Sequence, residues 1–87
     1  MKFTKDPDAV LDYSVDWIHW LGGDEIATSL WTIPFGLTQE AETKTLTKAT
    51  VWLSGGEAGQ SYTVTNRITT TGGRTEDRSF LLRVEER

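Results

Sequence analysis

The sequence predicts an all-β domain, a sandwich of two sheets made from about six or seven short antiparallel strands. Three observations lead there. Fourteen threonines stand against five alanines, and a β-branched side chain suits a half-buried pleated surface better than a helix. Apolar residues recur at a period of two rather than 3.6 in several stretches. Gly-Gly pairs at 22–23, 55–56 and 72–73 punctuate those stretches where the chain must turn. With 37% apolar residues and eight glycines, 87 residues suffice for one such domain over 1–87 and are too few for two.

The alternation is clearest at Leu11, Tyr13, Val15 and Trp17, separated by Asp12, Ser14 and Asp16, a strand with one buried face. Ile18 and Trp20 fall on the opposite parity. The strand therefore bulges near Trp17-Ile18 or gives way to a helical turn running into Gly22-Gly23. A second strand is predicted from about Glu25 to Ile33, closed by Pro34, with Trp31 and Ile33 on one face. Phe35-Gly36-Leu37-Thr38 reads as a turn, and Gln39 to Thr45 as a loop or weak edge strand. From about Thr47 to Leu53, Ala49, Val51 and Leu53 share one face, while Thr50 and Trp52 share the other. Trp31 and Trp52 are the candidates for the core indole between the sheets.

The strongest local signal is a hairpin joining Ser61–Thr71 to Arg74–Val84. A two-residue Gly72-Gly73 loop would split the apolar faces of the two strands. A three-residue loop of Thr71, Gly72 and Gly73 places glycine at the left-handed third position. It pairs Val64 with Phe80 and Tyr62 with Leu82, and sets Arg67 opposite Asp77 on the outer face. The stretch from Leu53 to Val64 also resembles the E-to-F corner of immunoglobulin and fibronectin-III domains. There a tyrosine, here Tyr62, bonds back to upstream backbone. The expectation is an immunoglobulin-like sandwich, with one or two further short strands near the N-terminus and at Gln39 to Thr45.

Charge narrows the partners. Thirteen acids against nine bases give a net charge of −4 and a pI near 4.8, the wrong sign for nucleic-acid binding. No run reaches the roughly 18 apolar residues of a membrane span, so neither nucleic acid nor membrane is expected as a partner. The residues through Lys44 carry −5 and the remainder +1. That asymmetry predicts charge pairing between strands, or head-to-tail contact between copies.

Catalytic chemistry has little to stand on. There is one histidine, His19, no cysteine, and five serines without a nucleophile elbow. The carboxylates Asp6 and Asp8, Asp12 and Asp16, and Asp24-Glu25 do not match a calcium loop, and Gly55 to Gly59 lacks the lysine of a phosphate cradle. Neither an enzyme, a metal nor a cofactor is expected. The four tryptophans exceed what one small core needs. Trp17 and Trp20, with the acidic-half neighbours Asp16 and Asp24, are the candidate interface. Arg67, Arg74 and Arg78 are its counterpart from the more basic half.

Taken together, Lys5 to Tyr13, Asp16-Trp17 with Trp20-Leu21, Ile26-Ala27, Trp31 to Pro34 with Gly36-Leu37, Val51 to Gly56, Ala58 to Thr70, and Gly73-Arg74 through Arg78-Ser79 resemble a family. It comprises small virion-associated proteins of tailed bacteriophages and prophages, some described as fibre-tail adaptors. The resemblance implies a structural protein of the head-tail or fibre-attachment region, made in the bacterial host cytoplasm. It would bind other virion proteins and further copies of itself. The alternative is a carbohydrate- or surface-binding module stacking a sugar on Trp17, Trp20 or Trp52. A third reading is an edge strand offered to a partner, at Gln39 to Thr45 or the threonine-rich hairpin.

Overall fold

Among the described residues, seven strands form two sheets that enclose one apolar core. The computed structural model describes residues 2–86; Met1 and Arg87, the outermost residues of the expected 1–87 domain, lie outside the described residues. The strands are β1 (Lys2–Lys5), β2 (Leu11–Asp16), β3 (Ile26–Thr32), β4 (Leu37–Lys44), β5 (Lys48–Gly55), β6 (Ser61–Thr70) and β7 (Thr75–Val84), with one helical turn, α1 (Ile18–Leu21), after β2. One sheet has the order β1-β7-β6-β3 and the other β2-β5-β4.

The predicted hairpin register holds. Val64 pairs with Phe80, Tyr62 with Leu82 and Arg67 with Asp77, and Gly73 takes a φ of +86° at the third loop position. One pairing departs from the expected antiparallel sandwich. β1 lies parallel to β7, which is feasible because they belong to opposite ends of the described chain and need no tight turn between them. The Gln39 to Thr45 stretch is a full edge strand, β4, which Leu37 opens, so the preceding turn is shorter than expected.

The core is built by parity. Val15, Ala49, Val51, Leu53, Val64, Ile68 and Leu82 are fully buried between the sheets, each large side chain contributing about 1.5 to 3 kcal/mol on leaving water. Phe3, Tyr13, Trp31 and Phe80 form an aromatic cluster with ring centroids 5.2 to 6.2 Å apart. Of the two candidate core indoles, Trp31 is buried, while Trp52 is half-buried on the opposite parity to Val51 and Leu53, on the outer face of β5.

The end of the sandwich holding the β5–β6 corner is closed by Tyr62, whose hydroxyl accepts a hydrogen bond from the Glu57 amide at 2.9 Å. Its ring leaves no room at Gly36, where an added Cβ would sit 2.9 Å from Tyr62 Cε1. Lys5 is buried nearby, and its ammonium donates to the carbonyls of Gly55 (2.7 Å) and Asp6 (2.9 Å).

Candidate functional site

Six of the seven predicted interface residues converge at the other end of the sandwich. After Asp16 the backbone leaves the strand at Trp17 (φ −97°, ψ 1°), turns once through α1, and exits through Gly22 at φ +57°. Leu21 N–H closes the turn on the Trp17 carbonyl at 2.9 Å. The helical turn, rather than a bulge, resolves the parity conflict. It lets Trp17 drop into the core while Trp20 lies across it, ring centroids 5.4 Å apart at 70°.

Trp17 is therefore not an exposed partner residue, contrary to the expectation. It shares the parity of Tyr13 and Val15 and, like Val15, is completely buried. Its indole Nε1 donates to Asn66 Oδ1 at 2.9 Å. The Asn66 amide in turn donates to Ser29 Oγ at 2.8 Å and the Leu30 carbonyl at 3.3 Å. Trp20 is half-buried against the core rim.

Two arginines from β7 and the hairpin loop complete a layered stack. The Arg74 guanidinium lies 4.3 Å from the centroid of Trp20, and that of Arg78 lies 4.4 Å from Trp17, giving the sequence Arg74, Trp20, Trp17, Arg78. Such contacts contribute about 0.5 to 1 kcal/mol each at exposed sites. Arg78 also donates to the Asp16 carbonyl at 3.0 Å, and Arg74 to the Leu21 carbonyl at 2.7 Å.

Asp24 ties α1 to the β6–β7 turn. It accepts from the Thr71 hydroxyl (3.0 Å), the Gly72 amide (3.1 Å) and Arg74 Nε (3.2 Å). Hydrogen bonds from the Thr70 hydroxyl, the Glu25 amide, Thr71 and Gly72 hold its carboxyl well below the usual carboxylate range. The approach needs glycine, since a Cβ at Gly72 would stand 2.8 Å from Asp24 Oδ2.

Arg67 does not join this site. It forms a two-bond pair with Asp77 (2.7 and 3.1 Å) on the outer face of the four-stranded sheet. Sequence reasoning missed Asn66 and the exposed apolar rim, Ile18 and Leu46, each about half exposed. Asn66 had a signal, a polar residue on the parity of Val64 and Ile68, which marks a buried partner. The rim had none, because it depends on where the 45–47 loop meets Trp17, through the Thr47 carbonyl at 2.8 Å.

The site thus presents the half-buried Trp20 capped by Arg74 over the buried Trp17, with the half-exposed Ile18 and Leu46 on neighbouring segments. Among the described residues no three histidine, aspartate or glutamate side chains gather as metal ligands, and no helix is long and apolar enough to cross a membrane. No curated protein matches the chain. A family described as podophage GP4 fiber-tail adaptor protein gp77 does match it, over residues 5–83, which takes in the whole of this surface. With almost every strand inside that match, the chain belongs to this bacteriophage fibre-tail adaptor family.

Proposed function

We propose that the protein is a non-enzymatic component of the virion that joins tail and fibre proteins through protein–protein contacts, docking by the end of the sandwich that carries Trp20. The family match over residues 5–83 carries this reading. The geometry supports the docking end. Ile18 in α1 and Leu46 in the 45–47 loop, which meets Trp17 through the Thr47 carbonyl, are each about half exposed, and Trp20 between the core and Arg74 is half-buried, residue types that are common at interface hot spots.

The sheet orders and the Tyr62 corner further support an immunoglobulin-like sandwich. The opposite end, rich in Asp6, Asp8, Glu57, Glu85 and Glu86, carries the fully exposed Phe35. On a symmetric ring, that acidic end is the surface offered to a further copy, leaving the Trp20 end for tail and fibre proteins. The protein is made in the host cytoplasm and retained in the particle. A sugar platform at Trp17 or Trp20 has less support, because Trp17 is buried and one face of Trp20 is occupied by Arg74; Trp52, half-buried on the outer face of β5, is the tryptophan left for it.

The test is complementation of a phage lacking this gene with Ile18→Asp/Leu46→Asp. Both residues are exposed, so the variant is expected to stay folded and soluble in the lysate but to be missing from purified particles. Wild-type incorporation of the folded variant would contradict docking by this end.

A further inference from the structure

Four strands lie at sheet edges: β1 and β3 bound the four-stranded sheet, and β2 and β4 the three-stranded one. An edge presents a row of unpaired N–H and C=O groups, and proteins blunt such rows with charges, prolines, bulges or short strands. β1 is four residues long and carries Lys2 and Lys5; β2 carries Asp12 and Asp16. β4 carries Glu40, Glu42 and Lys44, and its register shifts between Gln39 and Ala41.

β3 is the exception among these edges. Its sequence from Ile26 to Thr32 contains no charged residue and no proline. Its one register shift falls at the start, between Ile26 and Thr28, leaving Thr28 to Thr32 regular against β6. Ala27, Thr28, Leu30 and Thr32 are all exposed, Leu30 at 61%. An uncharged, regular, exposed edge is a liability unless something pairs with it.

We propose that a partner virion protein adds an extended segment to the β3 edge, as a fifth strand beyond β3 in the four-stranded sheet. The edge specifies its own occupant. A row of backbone donors and acceptors is satisfied in register only by another strand. The outward row of Thr28, Leu30 and Thr32 favours an uncharged, β-branched segment. β2 packs over β1, with Tyr13 5.3 Å from Phe3, so β4, at the far edge of the three-stranded sheet, lies on the β3 side of the sandwich with the exposed Glu40, which accepts from Ser54 Oγ, and Glu42, which accepts from Gln39 Nε2. The segment is therefore flanked by basic residues. The same carboxylates disfavour a second copy, which would bring Glu40 and Glu42 of two chains together across the joined edges. This inference rests on the adaptor reading and supplies it with a second surface, separate from the Trp20 end.

The experiment places a photo-crosslinking benzoylphenylalanine in turn at positions 28, 30 and 32, and at position 18 for comparison. Purified particles are irradiated and the linked peptides sequenced. The expected result is attachment from all three β3 positions to one contiguous segment of a different virion protein, the attachment point moving by about two residues per step. Attachment to the chain's own peptides, attachment scattered over a partner's surface, or crosslinks from position 18 alone would each overturn strand addition while leaving the adaptor reading in place. Absence of the wild-type chain from particles would remove both.

Discussion

Two tryptophans offer a controlled comparison, because Trp17 and Trp31 are both buried but only one has its indole N–H paired. Trp17 Nε1 donates to the fully buried Asn66 at 2.9 Å, whereas Trp31 Nε1 is buried with no hydrogen-bond partner among the described residues. Trp17→Phe and Trp31→Phe delete the same atoms. Trp17→Phe also leaves Asn66 Oδ1 without its donor, at a cost of about 1 to 3 kcal/mol. It weakens the Arg78 contact as well, by about 0.5 to 1 kcal/mol. Trp31→Phe instead removes an unsatisfied donor. Trp17→Phe should therefore be the more costly by about 1.5 to 4 kcal/mol. Urea unfolding followed by far-ultraviolet circular dichroism measures this, since the tryptophan signal itself is altered. On a domain of this size the difference corresponds to at least about 6 °C in Tm. Equal losses in the two variants would refute the claim that the Trp17–Asn66 bond anchors this end of the sandwich.

Three further outcomes are expected. Gly36→Ala should destabilise by about 1 to 3 kcal/mol, because φ is +107° and the new methyl meets the Tyr62 ring; a neutral effect in thermal denaturation would contradict the Tyr62 corner. The Asp24 carboxyl is held below its ordinary value in the folded state, so its contribution is present above about pH 4 and fades as pH falls below that. The stability deficit of Asp24→Asn, measured by thermal denaturation, should accordingly shrink from about pH 4 to pH 2, and a deficit that stays constant would refute the assignment. Burial pushes the Lys5 ammonium below its ordinary value of 10.5, against the attraction of Asp6 and Asp8. Its charged form therefore costs stability at neutral pH, and that cost is relieved as pH rises toward 10.5. The stability of the wild type relative to Lys5→Met should climb over that interval in paired urea titrations; a flat difference would mean Lys5 is not desolvated.

Much of the fold was legible because period-two patterning is a local signal. Leu11 to Trp17 and Ser61 to Val84 declare their buried faces without reference to the rest of the chain, and the Thr71-Gly72-Gly73 loop sets its own register. β1 was legible only as a further short strand, since four residues beside β7 gain their order from a partner nearly eighty positions away. β4 hid for a related reason: after Leu37 every residue is exposed, so it has no apolar face to betray it. At the candidate site, the residues were legible as types but not as a stack. Arg74 and Arg78 meet Trp20 and Trp17 only because α1 folds the β2 end back beneath the β6–β7 turn. Arg67 was grouped with them by charge, although its register opposite Asp77 already assigned it to the outer face.

The central claim is that this chain is a resident part of the particle at the fibre-attachment region. Mass spectrometry of gradient-purified phage, with antibody-gold labelling of the same particles, tests it most directly. The expected result is the 9.8 kDa chain at fixed stoichiometry to the tail proteins, with label confined to the tail and fibre base. Abundant chain in the lysate with none in the purified particles would contradict it.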